Sequence, residues 1–242
     1  MNFSNDEKRV QNAETLEALF DLWKQAHACE ENYEKTTVTE TAVLKGKEFG
    51  GIDQNAFISD GYIDKTSYEN AKTKILFILK EANIQAYRSE DDFKNPSGAN
   101  QFGFYKDYIG GGKPNRPKQQ EKLGRIANYI LTNSDSKADG DIRQAMKQCA
   151  FMNVNKRGGG KTDKKVNAYI KQYKAFIKRE IEILNPDICV VIGKTMNAGL
   201  FMPQNMPYIT LHHTADHYHN VYSVDKYMNH FLEIYRNFKQ EA

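Results

Sequence analysis

No apolar run in this chain approaches a membrane span: residues 75–79, ILFIL, are five in a row, where a spanning helix needs about 20. The first ten residues, MNFSNDEKRV, are polar and partly acidic, so they do not read as a secretory signal. Cysteine is scarce. Cys29, Cys149 and Cys189 lie far apart, odd in number and in apolar surroundings, which excludes a disulfide framework or a CxxC metal site and predicts buried thiols in a reducing compartment. A cytoplasmic, non-membrane protein is the expectation. An excess of charge is missing too. A net charge of +3 and a pI near 8.5 permit a nucleic-acid partner without arguing for one.

What is present is enough for a substantial core. At 242 residues the chain is most economically one compact unit, with residues 1–70 as an N-terminal helix and irregular extension packed on an α/β domain over 71–242. Residues 12–34 carry Leu16, Leu19, Phe20, Trp23 and Ala26 at helical spacing, with the single Trp on the apolar face. Residues 36–68 break into short β-prone pieces around Gly50-Gly51 and Asp60-Gly61, which suits irregular structure or a small hairpin.

The organising segment is 74–83, KILFILKEAN, whose unbroken apolar start reads as a strand buried on both faces of a parallel sheet. Further strands are expected at 149–155, 187–192 and 207–211. Helices are expected at 118–131, around 142–146, over 163–184 with Thr162 or Asp163 as cap, and from about 223. Strands alternating with helices predict a three-layer α/β/α sandwich on a four-stranded parallel sheet. All four carboxyl ends then meet at one edge, the place where open α/β sheets bind ligands. That edge gathers Glu81, Asn83, Asn153, the loop 156–162 with Lys156, Arg157, Gly158 and Lys161, Lys194, and His212 with His213.

Two constellations at that edge admit more than one chemistry. Gly160-Lys161-Thr162 follows a strand and precedes a helix, but a Walker A motif needs Gly where Asn155 stands. The loop remains readable as a phosphate cradle flanked by Lys156, Arg157 and Lys161, or as a solvated basic loop. The histidines of HHTADHYHN match no common zinc spacing, so no metal is expected, and they read as surface histidines or as a catalytic His at a strand end. Residues 84–116 have no periodicity yet hold Phe102, Phe104, Tyr105 and Tyr108, a pattern of functional loops.

Taken in order, these segments resemble the uracil-DNA glycosylase superfamily. ILFILKEAN is similar to the family's first motif, with Glu81-Ala82 matching the Glu-Ala of the iron–sulfur branch. CAFMNVNKRGG resembles the strand that carries the base-reading Asn, here Asn153, and IKREIEILNPDICVVIG resembles the helix and strand that follow. LHHTA falls where the family has His-Pro-Ser or His-Pro-Ala, which aligns His213 with its His. Lys80, Asn83 and Ile84 stand in place of the Gly, Pro and Gly of the first motif, and Thr214-Ala215 in place of Pro-Ser. The cluster cysteines are missing, so no iron–sulfur cluster and no other cofactor is expected.

The resemblance implies a monomeric hydrolase of base-excision DNA repair that flips a uracil-like or otherwise damaged base out of DNA and cleaves its N-glycosidic bond. It implies catalytic roles for Glu81, facing the oxocarbenium-like sugar, and His213, facing the O2 of the departing base. Asn153 would read the base edge, and Phe102 or Phe104 would stack on the base or simply fill the core of its own loop. Two other readings stay open: an inactive relative that binds nucleic acid in the same cleft, and a hydrolase or transferase acting on a nucleoside or nucleotide.

Overall fold

The computed structural model describes residues 3–29, 42–44, 47–49, 57–83, 109–112, 117–159, 166–214 and 223–241, with the backbone alone for 3–6, 42–44, 47–49, 81–83, 117, 157–159 and 241. In chain order the elements are α1 (Phe3–Gln11), α2 (Leu16–Ala28), β1 (Ala42–Leu44), β2 (Lys47–Phe49), β3 (Gly61–Tyr62), α3 (Lys65–Glu69) and β4 (Ile75–Asn83). They continue with α4 (Pro117–Thr132), α5 (Asp139–Lys147), β5 (Cys149–Gly159), α6 (Val166–Leu184), β6 (Ile188–Ile192), a 3₁₀ turn (Ala198–Leu200), β7 (Tyr208–Leu211) and α7 (Val224–Glu241). No helix among the described residues is long and apolar enough to cross a membrane.

The main sheet has the order β3-β5-β4-β6-β7, and β1 and β2 form a separate two-stranded antiparallel sheet. The four expected strands are parallel to one another, but the sheet is five-stranded and mixed, because β3 adds an antiparallel edge through Gly61↔Phe151 and Tyr62↔Ala150. This corrects the four-stranded expectation. Two residues carry too short a pattern to read as a strand, and Gly61 takes a positive φ of 129° that in the sequence suggests only a turn. An alanine there would also drive its Cβ to 2.7 Å from Leu16 Cδ1.

Alternation along the strands builds two cores. Leu76 and Ile78 of β4, Ala150, Met152 and Val154 of β5, and Cys189 and Val191 of β6 face a layer made by α1, α2 and α6. Ile75, Phe77 and Leu79 of β4, Cys149 and Phe151 of β5, and Ile188, Val190 and Ile192 of β6 face α4, α5 and α7. A strand apolar at every position is what burial on both faces requires. Each large side chain removed from water contributes about 1.5–3 kcal/mol, so the central strand is the least replaceable part of the molecule.

The helices start and stop for local reasons. Thr15 Oγ1 accepts from the Ala18 N–H at 3.2 Å and caps α2, whose buried face is Leu16, Leu19, Phe20, Trp23 and His27. Asn185, in the left-handed region at φ 46°, ends α6 just before Pro186. The cap expected at Thr162 or Asp163 lies outside the described residues. Cys29 departs from its expectation: it sits exposed at the end of α2, while Cys149 and Cys189 are buried. Burial pushes the Cys149 thiol up and the Cys189 thiol up to about 12, so both are unreactive.

Candidate active site

Strand order reverses between β4 and β6. The chain after β4 returns as α4 on one face, whereas the turn after β6 sends Met196, Ala198 and Phe201 into the core of the other. A crevice opens at the carboxyl edge where neighbouring connections diverge in this way. The register staggers the strand ends at this edge. β6 pairs with β4 only as far as Ile78↔Val191, while β4 continues beside β5 through Glu81↔Asn155 to Asn83↔Gly159. Residues 80–83 and 155–159 therefore project as a two-stranded ribbon beyond the end of β6.

That ribbon revises the glycine-loop expectation. Residues 156–159 are strand, paired to an equally extended β4, and the polar tails of both segments hide a shared hydrogen-bond ladder. The backbones of Arg157 and Gly158 belong to β5. The side chains of Glu81, Asn83 and Arg157, and Lys161, Phe102 and Phe104 altogether, lie outside the described residues. Lys194 is exposed in the turn after β6, His213 is exposed after β7, and His212 is half-buried with its ring 5.0 Å from that of His230. Gly193 makes the turn possible with φ 128°, its N–H donating to the Leu211 carbonyl at 2.9 Å. Thr214, next to His213, is buried.

Asn153 sits buried within β5 opposite Leu79 of β4. The same period of two that places it also places Asn155, directly across from Glu81, an amide that no sequence motif singles out. The Asn153 N–H donates to Asp60 Oδ2 at 2.6 Å. Asp60, from the segment before β3, is a site-supporting residue that no motif announces.

Lys156 requires the clearest correction. The expectation of a surface lysine on a phosphate fails, because its side chain is 0% exposed. The ammonium donates to Asp60 Oδ1 and lies 2.9 Å from Glu180 Oε1 and 2.8 Å from Oε2. It also lies 5.3 Å from the Trp23 ring centroid and 5.4 Å from that of Phe20, within cation–π range. Alternation explains the placement: in an extended β5, residue 156 shares the inward face of Met152 and Val154. In the sequence, a lysine beside Arg157 and three glycines has the pattern of a loop.

One ammonium between two buried carboxylates leaves a negative charge that apolar surroundings cannot hold. Burial, followed by the neighbouring Asp60 charge, holds the Glu180 carboxyl well above its ordinary value of 4.5, against the opposing pull of Lys156. Proton binding at Glu180 is thereby favoured in the fold, and Lys156–Asp60 is the closer of the two ion pairs. A raised folded-state pKa stabilises the protein fully below the ordinary value and loses that contribution as pH rises toward the folded value. Glu180→Gln should accordingly flatten the decline in stability above pH 4.5. Urea midpoints of both proteins from pH 5 to 8 check this; parallel curves would mean that Glu180 is ionised in the fold.

Around this triad the N-terminal helices complete the wall. Trp23 stacks on Phe176 at 5.2 Å, and His27 meets the Tyr173 ring edge-on at 4.9 Å and Tyr169 Oη at 2.8 Å from its Nε2. Helix α2 thus excludes water from the charges that hold β5. Among the described residues, no group of three or more His, Cys, Asp or Glu could hold a metal ion. In comparisons with protein-family models, curated proteins and solved structures, nothing matches this chain.

Proposed function

We propose that the protein is a DNA glycosylase that hydrolyses the N-glycosidic bond of a flipped uracil-like or otherwise damaged base. One arrangement carries the reading: Glu81 on β4 beyond the last β4–β6 pair, Asn153 within β5 opposite Leu79, and His213 two residues past β7 all lie toward the carboxyl edge at the reversal of strand order. With strands about 4.8 Å apart, Asn153 lies one strand from β4 and His213 follows a strand two positions away on the other side. A nucleotide reaching into that edge would be met from both flanks. The chemistry needs a negative charge at the sugar and a donor at the base, because the C1′–N bond breaks with positive charge growing on one and negative on the other. Glu81 supplies the carboxylate and orients the water whose oxygen bonds to C1′; His213 donates to the departing base, and Asn153 reads its edge. The products are a free base and an abasic sugar, with the proton of the water leaving on the base.

The test is a panel of oligonucleotides carrying uracil, thymine mismatches, hypoxanthine and oxidised pyrimidines, assayed for free base beside the corresponding free nucleotides. Base release from at least one oligonucleotide is expected. Release from nucleotides alone points to a nucleotide-acting hydrolase, and DNA binding without release to a binding module.

A further inference from the structure

We propose that Lys122 and Tyr227 form a clamp that positions His213, a role that rests on the reading of His213 above. The two peptide carbonyls that bracket His213 are each held by a side chain from a different helix. Tyr227 Oη, from α7, donates to the His212 carbonyl at 2.5 Å, and Lys122 Nζ, from α4, donates to the Thr214 carbonyl at 2.6 Å. Both clamp residues are 0% exposed, and they touch each other, with the ammonium 4.7 Å from the Tyr227 ring centroid. Their helices are tied in turn: Arg125, one helical turn after Lys122, donates to Asp225 Oδ1 at 2.8 Å, two residues before Tyr227.

Seating an ammonium on a main-chain carbonyl in a fully buried position costs desolvation that a methionine or leucine would avoid. Core packing alone therefore gives no reason for Lys122. Fixing the loop does. A trans peptide whose carbonyl points at Tyr227 turns its N–H, that of His213, the opposite way, away from α7. Hydrogen bonding at the carbonyl also strengthens that N–H as a donor. The residues on either side of 213 are thereby each held at a carbonyl while residue 213 itself stays exposed, the condition for an imidazole that must meet a ligand in one geometry.

The experiment compares Tyr227→Phe, which removes only the hydroxyl, with Lys122→Met, which keeps length and removes charge. Thermal unfolding, the His213 imidazole C–H signal in NMR (assigned by its loss in His213→Gln) and base release are read together. In Tyr227→Phe the His213 signal should shift and broaden, and kcat should fall about 10- to 100-fold with KM nearly unchanged. Lys122→Met should do the same where it folds; if it does not fold, Tyr227→Phe decides. A His213 signal of wild-type position and width in Tyr227→Phe overturns the clamp. Absence of base release from wild type overturns the glycosylase reading instead, and the NMR comparison still judges the clamp on its own.

Discussion

Lys156→Ala should cost about 3–5 kcal/mol of stability at neutral pH, a large share of the roughly 5–15 kcal/mol that holds a domain folded. The substitution leaves Asp60 without its counter-ion in a site sealed by Phe20 and Trp23, and opens a void where the lysine stem lay. Asp60 also accepts the Asn153 N–H, so the damage reaches the backbone of β5. Lys156→Met/Asp60→Asn should recover part of the loss, because the pair is removed together and an amide can still accept from Asn153. Coupling of about 0.5–3 kcal/mol in urea unfolding is expected. Losses that simply add would mean that Lys156 acts through packing alone. Because Lys156 is buried, Lys156→Met should leave the salt dependence of DNA affinity unchanged, whereas removing a cation that sits on a phosphate lowers the slope by about one.

Glu81→Gln should cut base release by about 10²-fold or more while leaving DNA affinity and melting temperature nearly unchanged, since the substitution keeps size and removes the charge that meets the oxocarbenium. His213→Ala should lower kcat comparably through the base. Neither residue belongs to the part of the sheet shared by all four parallel strands: Glu81 lies opposite Asn155 beyond the last β4–β6 pair, and His213 lies two residues past Leu211. Full release in both variants would remove them from catalysis. A drop in melting temperature with release preserved would make Glu81 a structural partner of its neighbours, worth on the order of 1 kcal/mol.

The double-sided burial of β4, the period of the long helices and the stop at Asn185-Pro186 were determined by sequence alone, because each depends on contacts or backbone preferences within a few residues. Apolar residues at every position of 75–79 admit few environments other than a two-faced core, and Leu123, Ile126, Ala127 and Ile130 admit one helical face. The shared carboxyl edge followed from the same local patterns through the handedness of crossovers.

Only the tertiary structure decided where the charges go. Asp60, Lys156 and Glu180 are separated by 96 and 24 residues along the chain, and although helical spacing puts Glu180 on the buried stripe of α6 with Phe176, Ile177 and Leu184, nothing near any of the three names its partner. Hydration of each depends on Trp23, Phe20 and α6 arriving from elsewhere. The same holds for Lys122, whose partner carbonyl lies 92 residues away. It holds too for the extension of β5 into its glycines, which needs β4 running beside it as far as Asn83. Periodicity records which face of an element meets a core; the identity of the partner across that core is a property of the folded chain, because an ion pair or a ladder is made by two segments and is encoded in neither.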